Sequence, residues 1–115
     1  MNVYLAGRVK TEVNVQNVRL DIDRAIPCGL IINELVTNCV KHAFPGGREG
    51  KIDVLMKGTE EGRLELVVAD DGVGGLEDRC SGSSLGMRLI KSLVTQLKGR
   101  IWIDSTAGTR IRIVF

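Results

Sequence analysis

Residues 34 to 42 read Glu-Leu-Val-Thr-Asn-Cys-Val-Lys-His and set Glu34, Asn38, Lys41 and His42 in one stripe. On an α-helix, positions i, i+4, i+7 and i+8 fall within an arc of roughly 100°. Leu30, Ile31, Ile32, Leu35, Val36 and Val40 surround that stripe. Asp23 can cap such a helix, which then starts near Arg24 with Pro27 in its first turn, where a missing N–H is tolerated. It runs to about Ala43 and stops before the breaker Pro45-Gly46-Gly47. A helix this apolar belongs in a core, yet burying unpaired polar groups is costly. The stripe therefore either faces solvent or lines a polar ligand site. A carboxylate and an amide one turn apart, with a lysine one turn further, suit a divalent metal and a phosphate.

The rest of the chain is built mainly from alternating strands. Val13, Val15, Val18 and Leu20 suggest two short strands joined at Gln16-Asn17. Ile52, Val54 and Met56 alternate with Asp53, Leu55 and Lys57, and a Glu60-Glu61-Gly62 turn leads into Arg63 to Ala69, a hairpin pattern. A glycine- and serine-rich stretch from Asp70 to Ser84 precedes a second amphipathic helix over about Leu85 to Leu97. Leu89, Ile90, Leu93, Val94 and Leu97 form its core face, and Gly99 closes it. Arg100 to Asp104 and Thr109 to Phe115 make another alternating pair around Gly108. Hairpins with two long helices predict an α+β fold: a two-layer α/β sandwich whose mixed, mostly antiparallel sheet packs against helices. The 115 residues are read as a single domain, 1–115.

The formal net charge is +2, the basic residues are scattered, and there are four aromatic side chains. That pattern argues against a nucleic-acid partner, which needs a basic footprint and stacking platforms. No apolar run approaches the roughly 18 to 20 residues that span a bilayer. No signal peptide is evident, so a cytoplasmic location is expected for this domain without direct membrane contact of its own, with a membrane anchor elsewhere in the full-length protein left open. Cys28, Cys39 and Cys80 show no C-x-x-C pairing, and one histidine with scattered thiols does not make a zinc site.

Three further segments carry candidate chemistry. Asp70-Asp71-Gly72-Val73-Gly74-Gly75 follows a buried-type strand. A carboxylate there, followed by glycines, lets backbone approach a flat ligand while an acceptor reads its edge; the same letters also make a plain Asp-Gly turn. The dinucleotide fingerprint G-x-G-x-x-G and the P-loop are both absent. Ser81-Gly82-Ser83-Ser84-Leu85-Gly86-Met87 enters the second helix, either as ordinary capping chemistry or as a phosphate site at free helix N–H groups. Gly108-Thr109 opens the last strand.

The order of these segments is more specific than any one of them. N-E-L-V-T-N-x-x-K-H-A-F-P, then D-D-G-V-G, then S-L-G-M-R-L-I, then G-T-R-I-R-I-V-F, resembles the catalytic, ATP-binding domain of sensor histidine kinases. That domain belongs to a superfamily shared with gyrase-type ATPases and the ninety-kilodalton heat-shock chaperones. The resemblance runs from about Val13 to Phe115 and is strongest from Ile26 to Pro45, where it is similar to the subgroup whose motif reads NELVTNALKHAFP. It implies the Bergerat-type fold.

The resemblance also implies roles. Asn38 would ligate Mg²⁺, which bridges the ATP phosphates. Glu34 would hold a metal-bound water or polarise the accepting nucleophile, and Lys41 would neutralise phosphate charge. His42 would pack beside ribose or adenine. Asp70 would accept a hydrogen bond from the adenine amino group, and Gly72 and Gly74 would admit the base. Ser84, Leu85 and Gly86, at the second helix's N-terminus, would cradle phosphates, and Thr109 would stand near the adenine. Residues from about Gly75 to Ser84 would form a short ATP lid. Two positions depart from the usual pattern: Ser84 replaces a glycine before Leu-Gly, and Gly75 replaces an apolar residue. The implied activity is protein histidine kinase, a transferase of two-component signal transduction, with ATP and Mg²⁺ as cofactors. The partners would be a separate dimerisation and histidine-phosphoacceptor domain, absent from this sequence, and a downstream response regulator. Without that acceptor the chain is not expected to phosphorylate itself. Two alternatives stand beside this reading: a serine kinase of the anti-sigma-factor type, and a nucleotide-binding regulatory module without turnover.

Overall fold

The computed structural model describes residues 2–5, 9–16, 18–40, 49–72, 85–106 and 108–115. In chain order these form β1 (Asn2–Leu5), β2 (Val9–Gln16), α1 (Ile22–Asn38), β3 (Gly50–Gly58), β4 (Leu64–Asp70), α2 (Leu85–Gln96), β5 (Arg100–Asp104) and β6 (Thr109–Val114). The six strands make one sheet in the order β1-β2-β3-β4-β6-β5. Only β2 and β3 run parallel; the other neighbours are antiparallel. The fold is α+β, as the strand and helix patterns predict.

Strand side chains alternate between faces, and this sheet buries one face under the helices. Val9, Ile52, Val54, Met56, Leu64, Leu66, Val68, Ile111 and Ile113 point inward and meet Cys28, Ile31 and Leu35 of α1 and Met87, Ile90, Leu93 and Val94 of α2. The opposite face is laced by ion pairs. Lys51 lies 3.3 Å from Glu12 and 3.4 Å from Asp53, and Glu65 lies 2.7 Å from Arg112 and 3.5 Å from Lys57. The Arg112 guanidinium also sits 4.8 Å from the centre of the Trp102 ring. These groups hold the Glu65 carboxyl below its ordinary range, chiefly through the Arg112 hydrogen bond. Burial, conversely, pushes the Cys28 thiol up.

Several details differ from the pattern-based expectations. Residues 18–20 do not form a second strand after β2, whereas Asn2–Leu5 pairs with β2 as an edge strand that alternation alone did not mark. Helix α1 begins two residues early. Asp21 takes the cap position, its carboxylate bonding Arg24 Nε at 2.6 Å rather than a backbone amide, and Asp23 falls inside the first turn. Pro27 consequently lies beyond the first turn, where it withholds a donor from the Asp23 carbonyl. The described helix reaches Asn38 and a wider turn at residues 39–40; its end near Ala43 lies outside the described residues.

On α2 the core arc is centred on Ile90, with Met87 and Leu93 at its edges. Leu89 lies about 100° from Ile90 and is 41% exposed, so it is not a core residue. The helix ends with Lys98, at φ 58, in the left-handed position expected of Gly99. Lys98 N–H bonds Thr95 O at 2.9 Å and Gly99 N–H bonds Val94 O at 2.9 Å, the two bonds of a Schellman ending. Gly99 serves a different need: a Cβ there would stand 2.7 Å from the Val114 carbonyl oxygen.

Candidate functional site

The inward series Leu64, Leu66 and Val68 of β4 continues to Asp70, and the inward series Ile113 and Ile111 of β6 leads back to Thr109. Register then aligns Thr11, Ile52, Asp70 and Thr109 in one row across four neighbouring strands. Three polar residues therefore sit on the face that is otherwise apolar. Asp70 is 9% exposed, Thr11 5% and Thr109 3%.

Both hydrogen bonds to the Asp70 carboxylate among the described residues end on Oδ1. Gly72 N–H donates at 2.8 Å and Thr109 N–H at 3.3 Å. Those backbone donors fix the carboxylate and leave Oδ2 as an acceptor. The hydroxyls of Thr11 and Thr109 are buried with no partner among the described residues. Buried hydroxyls are normally satisfied, so a row carrying a held carboxylate and two hydroxyls without partners among the described residues is a candidate ligand site. Gly108 permits the close approach that holds the row together. Its φ is +77°, and a Cβ there would lie 2.2 Å from the Asp70 carbonyl oxygen. Asp71 points elsewhere, its Oδ1 accepting Lys51 N–H at 2.8 Å.

The second part of the site joins the two helices. Ile22, Ile26, Leu30, Glu34 and Asn38 form one i+4 ridge on α1. Such a ridge rotates about 40° per step around the helix. Its exposed apolar start thus gives way to Glu34 and Asn38 as the ridge comes round toward α2. Gly86, the second residue of α2, meets them there. A Cβ on Gly86 would lie 2.9 Å from Glu34 Oε2, 3.7 Å from Asn38 Nδ2 and 3.9 Å from Asn38 Oδ1. The first-turn N–H groups of α2 are thereby set beside a carboxylate and an amide oxygen. A helix N-terminus of this kind favours anions.

Glu34, Asn38 and Gly86 thus come together, and Asp70, Gly72 and Thr109 come together at the same end of the molecule. Lys41, His42, Gly74 and Ser84, with the Gly75-to-Ser84 lid segment, lie outside the described residues; Leu85 is placed as the first residue of α2. Pattern reading did not single out Thr11. A threonine in an alternating strand is unremarkable until cross-strand register sets it level with Asp70.

The oxygen donors of Asn38 and Glu34 suit a hard divalent cation. Among the described residues no group of three or more His, Cys, Asp or Glu could hold a metal alone.

Residues 23–115 match the family model described as histidine kinase-, DNA gyrase B-, and HSP90-like ATPase. The chain belongs to this family. It is 31% identical over 111 residues to blue-light-activated histidine kinase 2 of Erythrobacter litoralis, covering 93% of this chain and 32% of that protein. It is 37% identical over 82 residues to the sensor histidine kinase PdtaS of Mycobacterium tuberculosis, covering 66% of this chain and 16% of that protein. The solved structure of the Erythrobacter litoralis EL346 blue-light-activated histidine kinase superposes with a TM-score of 0.87 at 28% identity, over 95% of this chain and 35% of that one. A catalytic domain of the histidine kinase ThkA, at 13% identity and TM-score 0.67, shares the fold. The chain is thus an ATPase domain of the sensor-histidine-kinase kind, spanning about a third of the light-activated relative. Among the described residues, no helix is long and apolar enough to cross a membrane.

Proposed function

We propose that this domain binds Mg²⁺-ATP at the end of the sheet marked by Asp70 and transfers its γ-phosphoryl group to a histidine of a separate phosphoacceptor domain. The observation that carries the reading is the meeting of Glu34 and Asn38 with Gly86 at the N-terminus of α2, at the same end as the row Thr11, Ile52, Asp70, Thr109.

Asp70 Oδ2 accepts the adenine amino group while Oδ1 stays tied to the Gly72 and Thr109 amides. Guanine presents a carbonyl at that edge, and an acceptor facing an acceptor rejects it. The Thr109 hydroxyl stands near the same base, directly or through water. Gly72 and Gly74 let the ring approach the backbone, and His42 packs beside ribose or adenine. The N–H groups around Ser84, Leu85 and Gly86 hold phosphate oxygens, and Lys41 offsets phosphate charge. Asn38 is the protein ligand for Mg²⁺, which supplies electrostatic stabilisation of the phosphates when bound.

Glu34 orients the incoming imidazole and accepts its hydrogen bond, sharpening the attacking nitrogen. The N–P bond forms as the bond from phosphorus to the ADP oxygen breaks, and ADP leaves with the electron pair. Catalysis here is chiefly positioning and charge stabilisation. The domain works within a longer two-component protein, in the cytoplasm, with a response regulator receiving the phosphate next.

Incubation with γ-labelled ATP and a histidine-bearing helical hairpin from a related kinase tests the reading. Acid-labile, alkali-stable phosphate on the hairpin, lost in Glu34→Ala and Asn38→Ala, is the expected result. Alkali-labile phosphate on serine would reassign the domain to the anti-sigma-factor type. ATP binding with no labelled acceptor would leave a regulatory nucleotide module.

A further inference from the structure

At the opposite end of the sheet a cavity of about 330 Å³ opens between two segments distant in sequence. Val18, Arg19 and Arg24 line one side, and Gly58, Thr59, Gly62, Arg63 and Leu64 the other. Leu64 opens β4 and Asp70 closes it, so six residues of extended strand, about 20 Å, separate this cavity from the row described above. We propose that it is a second ligand site, one that holds a small phosphate-bearing molecule of at least two negative charges through Arg19, Arg24 and Arg63.

Three arginines line this cavity, and among the described residues only Arg24 has a carboxylate partner. Arg24 Nε bonds Asp21 Oδ1 at 2.6 Å. Among the described residues no carboxylate pairs with Arg19 or Arg63. Glu60 and Glu61 sit in the adjoining turn, exposed and outside the lining. Like charges around one cavity repel, and an anion between them removes that repulsion. Guanidinium forks match phosphate oxygens in pairs, which a monocarboxylate cannot use as fully.

The hairpin that carries Arg63 is held in place. Thr59 N–H bonds Arg63 O at 2.7 Å, Gly62 N–H bonds Thr59 O at 3.2 Å, and Thr59 Oγ1 accepts Arg63 N–H at 3.1 Å. The Thr59 hydroxyl therefore keeps its own hydrogen to donate. Gly62, at φ +77°, leaves open space where a Cβ would stand. Val18 and the buried Leu64 supply an apolar wall beside the charges. A volume of about 330 Å³ falls within the range of small-molecule sites.

Titration of the whole chain with pyrophosphate at constant ionic strength, followed by amide chemical shifts, tests the proposal. The amides of Arg24, Thr59, Gly62 and Arg63 should move together and saturate. Arg19→Gln and Arg63→Gln should each weaken that binding about fivefold to tenfold, the loss expected for one charge-assisted hydrogen bond at a partly solvated site. Arg63→Lys, which keeps the charge without the fork, should fall between. Both arginines are exposed, and an unchanged amide spectrum away from the hairpin confirms that each variant folds. The proposal is overturned if chloride at matched ionic strength reproduces the shifts, or if pyrophosphate moves only amides near Gly72 and Gly86. Arginine variants that titrate like the parent chain would overturn it equally.

Discussion

The two ends of β4 use the same strand chemistry to opposite purposes. At the Leu64 end, the strand's own inward and outward groups are matched, and Arg19 and Arg63, without a carboxylate partner among the described residues, lie beside the strand at the surface. Leu64 exchanges both backbone hydrogen bonds with Phe115, at 2.8 and 2.9 Å, and the neighbouring Glu65 is held by Arg112 and Lys57. At the Asp70 end, a carboxylate and two hydroxyls occupy inward positions that the strand pattern reserves for aliphatic side chains, and among the described residues the hydroxyls lack partners. An inward polar row costs stability, since each orphan forgoes its hydrogen bond to water. A fold tolerates that cost where a ligand supplies the missing partners. The proposed nucleotide site falls at the end of the sheet where, among the described residues, the inward hydroxyls lack partners.

The largest effect should come from closing the gap that lets β6 approach Asp70. Gly108→Ala combines a left-handed backbone with a Cβ 2.2 Å from the Asp70 carbonyl oxygen, neither of which can yield. It should lower the unfolding free energy by about 3 kcal/mol, read from a denaturant midpoint. Asp70→Asn should separate stability from function. The amide oxygen can keep both backbone bonds, so stability should move by less than about 1 kcal/mol, while ATP affinity falls about a hundredfold.

Gly86→Ala is subtler. Its Cβ would meet the far end of Glu34, which can swing aside, and alanine favours the helix by up to about 1 kcal/mol. The melting temperature should hold or rise, while phosphoryl transfer in a single-turnover assay slows about tenfold or more as Glu34 is displaced. An unchanged rate would remove Glu34 from the reacting centre.

The smallest effect belongs to the satisfied end. The folded-state carboxyl of Glu65 titrates below its ordinary value of 4.5, so its contribution is present above that pH and lost as pH falls through the folded value. Glu65→Gln should cost well under about 1 kcal/mol near neutrality, because the pair is partly solvated. Its stability deficit against the parent chain should vanish on acidification, which melting curves between neutral and acidic pH would show.

Much of this was legible in the chain because the relevant periods are local. The 3.6-residue period placed Glu34 with Asn38, and the motif beginning at Asp70 stood out as an acidic, glycine-rich segment following a buried-type strand; that Asp70 itself closes the strand and points inward is visible only in the structure. Alternation likewise marked β3, β4, β5 and β6. What escaped depends on distant partners. The strand at Asn2–Leu5 exists because β2 offers an edge, and the weight of Thr11 comes only from its register with Ile52 and Asp70. Leu89 misled because Met87 shifts the buried arc of α2 by a fraction of a turn. Lys98, not Gly99, turns left-handed because Gly99 is required against the Val114 carbonyl.

The central claim is that Asp70 reads adenine through an oxygen its own backbone partners do not use. Calorimetric titration of the parent chain and Asp70→Asn with ATP and GTP, each with and without Mg²⁺, tests it most directly. The parent chain should bind ATP more tightly with Mg²⁺ and ignore GTP, and the variant should lose ATP binding while remaining folded. Equal binding of ATP and GTP by the parent chain, or undiminished ATP binding by the variant, would contradict it.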